Sequence, residues 1–135
     1  MNAPAKRAAF FDMDRTLVRK NTGNLFAHFL WKRNLMSLKD ALRTVLWMFQ
    51  YTVGFFDVEE VTRLAMGMMK GQSETYVREL SVEWFRDWVE PHVSPEGRAA
   101  VAAHRERGDV LAILSASTPY ATDPLAQHLG IEHVI

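Results

Sequence analysis

The chain has 135 residues, which suits one domain or two small ones. Its 16 basic and 16 acidic residues give a formal net charge of zero, which argues against general nucleic-acid binding through a basic surface. Cysteine is absent, so disulfides, thiolate catalysis and cysteine–zinc sites are excluded. A hydrophobic fraction of 48% is enough for a core. The opening Met1 to Arg7 lacks the apolar core of a signal peptide. The longest charge-free apolar segment, Thr44 to Phe56, is thirteen residues long, against about 20 for a membrane-spanning helix. A cytoplasmic protein without a membrane span is the expectation.

In chain order, the apolar run Ala8-Ala9-Phe10-Phe11 reads as a buried strand over residues 7–12. A polar turn over 13–22 follows. Leu25, Phe26, Phe29 and Leu30 recur at helical spacing, which predicts a helix over 23–34. Ser37 with Asp40 marks the next helix start, and Leu38, Ala41, Leu42, Val45, Phe49 and Val53 continue the period. Asp57 with Glu60 is a further start, with Gly71 as its stop. Ser73 opens a fourth helix carrying Val77, Leu80, Trp84, Phe85 and Trp88, which ends at Pro91. Four successive helices with no strand between them read as a helical module inserted between two strands.

Alternation then resumes. Ser94-Pro95 is an N-cap with proline at the first helical position, and that helix ends at Gly108. Asp109 to Leu114 is the second strand, ending in Ser115-Ala116-Ser117. Thr118-Pro119 repeats the cap signature, Gly130 follows the last helix, and Ile131 to Ile135 begins a third strand. The predicted architecture is an α/β core of residues 1–22 and 91–135 with a parallel Rossmann-like sheet. An all-helical cap over 23–90 is inserted into it.

The chemistry concentrates at the strand ends. Asp12, Asp14 and Thr16 form D-M-D-R-T directly after the first strand. Open α/β folds place their sites at the carboxyl ends of strands. Two acids two residues apart can divide labour, one attacking and the other handling protons. A calcium loop fits poorly. Counted from Asp12, the sixth and twelfth positions are Leu17 and Gly23, where an EF-hand wants glycine and glutamate. The five histidines are scattered without ligand spacing.

F-F-D-M-D-R-T-L and I-L-S-A-S together resemble the first two motifs of the haloacid dehalogenase superfamily of phosphate-transferring hydrolases. The helical stretch between them resembles the branch that contains the phosphoserine phosphatases. This resemblance implies a magnesium-dependent phosphomonoester hydrolase acting on a small phosphorylated metabolite. Asp12 would be the nucleophile and a magnesium ligand. Asp14 would be the acid–base and would ligate the metal through its carbonyl. Thr16 would hold the turn, and Ser115 and Ala116 would bind phosphate. Arg63, on the inserted helices, is a candidate for a substrate carboxylate or phosphate. Asn21 stands where that branch carries a glutamate that recognises the substrate amine, so phosphoserine is not the expected substrate. The family's third and fourth motifs, a lysine and an acidic pair, follow its second. Here the last lysine is Lys70, and the acids after Ser117 are Asp123 and Glu132. The chain is therefore expected to be the N-terminal portion of such an enzyme, ending inside the fold.

Two readings of another class stay open at this point. One is a non-catalytic fragment that binds phosphate or a partner, which the missing motifs favour. The other is a receiver-like signalling domain, which would want an acceptor aspartate on its third strand and no helical insertion. Trp31, Trp47, Phe49, Tyr51, Phe55 and Phe56 are expected mostly in the core. A pocket for an apolar substrate tail, or association with a membrane surface, is the alternative use of them. Without a fourth strand beside it, Ala8 to Phe11 is expected to be an apolar edge open to self-association.

Overall fold

The computed structural model describes residues 7–53, 63, 67 and 69–135, with 48 and 50–53 described by their backbone alone. Two apolar runs pair as parallel strands, β1 (Ala8–Phe11) and β2 (Val110–Ile113), in a register that sets Ala8 beside Val110 and Phe11 beside Ile113. A two-residue strand, β3 (His133–Val134), pairs in parallel with the other side of β2, giving the order β1-β2-β3. Parallel neighbours require a crossover. One helix supplies it between β2 and β3, and a run of helices supplies it between β1 and β2. The α/β class expected from the sequence is the observed one.

The helices are α1 (Thr22–Lys32), α2 (Leu38–Val53), α3 (Glu74–Trp84), α4 (Pro95–Glu106) and α5 (Pro119–Leu129). Their starts follow from capping chemistry. Asn21 accepts from the Asn24 N–H, Ser73 from Tyr76, and Ser94 from Gly97, with Pro95 next in line. The Thr118 side chain makes no such bond, but Pro119 presets the first turn of α5. Gly130, at φ 64°, ends that helix in the left-handed region. α3 does not run straight to Pro91. After Trp84 it widens into a π-helical turn, Phe85–Val89, and then tightens into a 3-10 turn, Glu90–His92. The expected start at Asp57 and Glu60, together with Phe55, Phe56 and the Tyr51 side chain, lies outside the described residues.

The core gathers under one face of the sheet. Met13, Leu17, Val18, Ile113 and Leu125 are fully buried, and Phe29, Leu30 and Val101 nearly so. Each such side chain contributes about 1.5–3 kcal/mol by leaving water. Phe26 meets Trp84 edge-on at 5.3 Å and Phe29 meets Trp88 at 6.4 Å, which binds α1 to the end of α3.

Two apolar segments are less buried than their sequence implies. In β1, Ala9 and Phe11 face inward, Phe11 against the His104 ring at 5.8 Å, while Phe10 is 60% exposed. Among the described residues β1 is an edge strand with helices over one face, so only alternate residues are covered. In α2 the apolar stripe is turned outward: Leu38, Leu42, Val45, Leu46 and Phe49 are all more than half exposed. Ala41, Thr44 and Trp47 are half-buried instead. Trp31 is also exposed. The expectation that most of these aromatics are core is therefore corrected for Trp31 and Phe49. Helical periodicity establishes which residues share a face, not which way that face points.

Gly97 and Asp109 fix the packing of α4. A Cβ on Gly97 would lie 3.2 Å from Leu17 Cδ2 and 3.3 Å from Leu17 Cα. Gly97→Val is expected to destabilise the fold by about 2 kcal/mol through overpacking, read as a lower midpoint in urea. Asp109, whose side chain is 6% exposed, accepts from His104 Nδ1 at 2.8 Å and Arg7 Nε at 3.1 Å. The hydrogen bond from His104, with the charges of Arg7, His104 and Arg107, holds its carboxyl below the ordinary range despite burial. A lowered folded-state pKa gives stability that is present above the unfolded value of about 3.9 and lost as pH falls through the folded value. Thermal melts from pH 7 down to 3 should therefore show a smaller acid-side loss in Asp109→Asn than in the parent chain.

Candidate active site

β1 and β2 end side by side. The ladder continues one step past them, with the Leu114 N–H donating to the Phe11 carbonyl at 2.9 Å. Adjacent strands lie about 4.8 Å apart, so Asp12 and Ser115 leave the same end of the sheet as neighbours. The Ser115 N–H donates to the Ile135 carbonyl at 3.1 Å, which ties this loop to the residues after β3.

The turn after β1 is built by its backbone. The Leu17 N–H reaches the Asp12 carbonyl at 3.2 Å, and the Val18 N–H reaches the Met13 carbonyl at 2.9 Å. Met13, Leu17 and Val18 point into the core and pin the turn, leaving Asp12 exposed and Asp14 half-buried above it. Arg15 takes a left-handed φ of 60°, a conformation that costs a residue with a Cβ about 1 kcal/mol. Burial of its three apolar neighbours offsets this. Thr16 is exposed, and its hydroxyl makes no hydrogen bond among the described residues. The turn that the sequence reading assigned to Thr16 is thus closed by main-chain bonds.

Asp14 is held from a direction that the motif does not announce. Its Oδ1 accepts the Thr22 N–H at 2.8 Å and the Thr22 hydroxyl at 2.7 Å, while Oδ2 accepts the Asn21 side-chain amide at 3.3 Å. Thr22 is 2% exposed. The sequence signal was present in part, because an Asn before an apolar period marks a helix start, yet nothing local linked that start to Asp14.

On the facing strand end, Ser115 is half-buried and Ala116 exposed. Ser115 Oγ accepts the Ser117 N–H at 3.2 Å, which leaves its own O–H to donate. Arg63 is an exposed helical residue, outside the two segments after β1 and β2 that carry Asp12, Asp14, Ser115 and Ala116.

The oxygen donors suit a hard cation. The Asp12 carboxylate and the Asp14 backbone carbonyl are ligands of the kind magnesium takes, and magnesium keeps several waters. The Asp14 carboxylate is already engaged by three donors. Among the described residues, no three acids or histidines gather to form a cage. The set therefore fits magnesium in type and is partial in number.

Known proteins are similar over nearly the whole chain. A probable phosphatase of Mycobacterium tuberculosis is 28% identical over 134 residues, which is 97% of this chain and 47% of that protein. The chain spans about half the length of the curated relatives it matches. The crystal structure of a protein of unknown function from Bordetella pertussis superposes with a TM-score of 0.85 at 25% identity, over 96% of this chain and 59% of that one. A phosphoserine phosphatase holding an analogue of its phospho-aspartyl intermediate shares the fold, with a TM-score of 0.65 at 16% identity over 96% of this chain and 55% of that one. Residues 9–135 match the haloacid dehalogenase-like hydrolases, and the chain belongs to that family.

Proposed function

We propose that these residues form the first half of a phosphomonoester hydrolase that works through an aspartyl-phosphate on Asp12. The supporting observation is the register of β1 and β2, whose carboxyl ends lie side by side, with Asp12 and Asp14 in the turn after one and Ser115 after the other. The Asp12 carboxylate attacks phosphorus, and the P–O bond to the leaving group breaks as the new one forms. The leaving oxygen takes a proton from the Asp14 carboxyl. A water then attacks the phosphorus, gives its proton to Asp14, and frees Asp12 and inorganic phosphate. The Ser115 hydroxyl and the Ala116 N–H donate to the phosphate oxygens, and Arg63 serves a distal charge on the substrate. Magnesium held by Asp12 and the Asp14 carbonyl would offset the repulsion between carboxylate and phosphate.

Residues 1–22 and 91–135 act as the core in this reading, and 23–90 as a helical cap over the strand ends. The backbone bonds Arg19 N–H to His92 carbonyl and Ser94 N–H to Leu17 carbonyl support that boundary. The family's lysine and acidic pair have no counterpart among residues 118–135, which contain no lysine and whose acids are Asp123 and Glu132. The other half of the machinery is assigned to sequence outside this stretch. The substrate is a small phosphorylated metabolite of the cytoplasm. Asn21 caps α1 and donates to Asp14, so phosphoserine lacks its amine partner at that place.

In the complete gene product, Asp12→Asn should lower turnover of 4-nitrophenyl phosphate by about a thousandfold or more. Unchanged turnover would remove Asp12 from the role of nucleophile. Phosphoserine should be hydrolysed no better than a generic alkyl phosphate, and a strong preference for it in a substrate panel would refute the role given to Asn21. The 135-residue stretch alone should turn over neither substrate, because a lone carboxylate and carbonyl hold magnesium weakly. Turnover equal to that of the complete protein would show the missing motifs to be dispensable.

A further inference from the structure

Asp14 has an unusual second anchor. It belongs to the turn after β1, yet its carboxylate is gripped by the first turn of α1. Thr22 gives Oδ1 both its backbone N–H, at 2.8 Å, and its hydroxyl, at 2.7 Å. The N–H is one of the orphan donors of a helix start, where an anion is favoured. The hydroxyl sits in a residue that is 2% exposed, where a polar group without a partner is costly. The grip therefore serves both sides: the carboxylate satisfies a buried hydroxyl, and the hydroxyl fixes the carboxylate's rotamer. The Asn21 amide, at 3.3 Å, adds a weaker hold on Oδ2.

We propose that Thr22 is a positioning residue for proton transfer, setting the direction in which Asp14 presents its carboxyl to the leaving oxygen. This rests on the reading of Asp14 as the acid–base. It also makes α1, the first helix after the strand-end turn, part of the proton-transfer geometry: a shift of α1 against β1 reorients Asp14. Asp12 has no bond to α1 among the described residues, so its attack is insulated from such a shift.

The test separates proton donation from everything else. An alkoxide leaving group needs a proton as it departs, whereas 4-nitrophenolate leaves without one. The quantity to compare is kcat/KM, which reports events up to departure of the leaving group and is blind to the later hydrolysis of the aspartyl-phosphate. In the complete gene product, Thr22→Val keeps the shape and the N–H and removes the hydroxyl. It should lower kcat/KM for glycerol 2-phosphate by about tenfold or more, the order expected for a lost hydrogen bond to a charged group. The value for 4-nitrophenyl phosphate should change far less, and Thr22→Ser should restore most of the loss. Equal losses on the two substrates, no loss at all, or a serine variant as impaired as the valine variant would each overturn the proposal. Thermal melting establishes that Thr22→Val is folded. If it is not, Thr22→Ala carries the same comparison against Thr22→Ser. An unsubstituted protein that hydrolyses neither phosphate fails the proposed function itself, before any variant is compared.

Discussion

The parallel pairing of β1 with β2 is the constraint on which the rest of the molecule depends. Four residues on each side, in the register Phe11 to Ile113, bring together positions a hundred residues apart in the chain. Shifting that register by one residue would turn Phe11 outward and Phe10 inward. It would also carry Asp12 away from Ser115. The fully buried side chains at the end of each strand, Met13 beyond β1 and Ile113 within β2, oppose the shift. Site geometry and core packing are thus enforced by the same contacts.

The two ends of the sheet show why a held carboxylate is not by itself a sign of chemistry. At the start of β2, Asp109 accepts from His104 and Arg7 and is nearly buried. At the end of β1, Asp14 accepts from Thr22 and Asn21. Both are well satisfied, and the hydrogen bond from His104 holds the Asp109 carboxyl below its ordinary range. Their positions separate them. Asp109 fastens α4 to the bottom of the sheet, where the strands begin, whereas Asp14 stands where strands of open α/β folds deliver their functional groups.

Much of this could be read from the sequence, and the failures have a common cause. D-M-D-R-T after an apolar run, Ser94-Pro95, Thr118-Pro119 and Gly130 are local signals, and each one marks an element end in the structure. The outward stripe of α2, the exposed Phe10 and the π-helical turn at Phe85 are not local. They depend on what packs against a segment, and a period of 3.6 or 2 carries no record of that. The grip of Thr22 on Asp14 belongs to the same class. It spans eight residues across a turn, and neither residue alone announces the other.

The short ladder that joins Leu17 and Arg19 to His92 and Ser94 has a thermodynamic meaning of its own. The chain leaves the sheet and returns to it through one gap, a single strand spacing wide. For the sheet, everything between is a loop whose ends are already tied. Closing such a loop costs free energy only as the logarithm of its length, about 0.6 kcal/mol for each doubling. Helices beyond α1, whose first turn holds Asp14, could be added, removed or exchanged in that interval over evolution with little penalty to the strands. Sequence could then diversify there while the strand ends stay fixed.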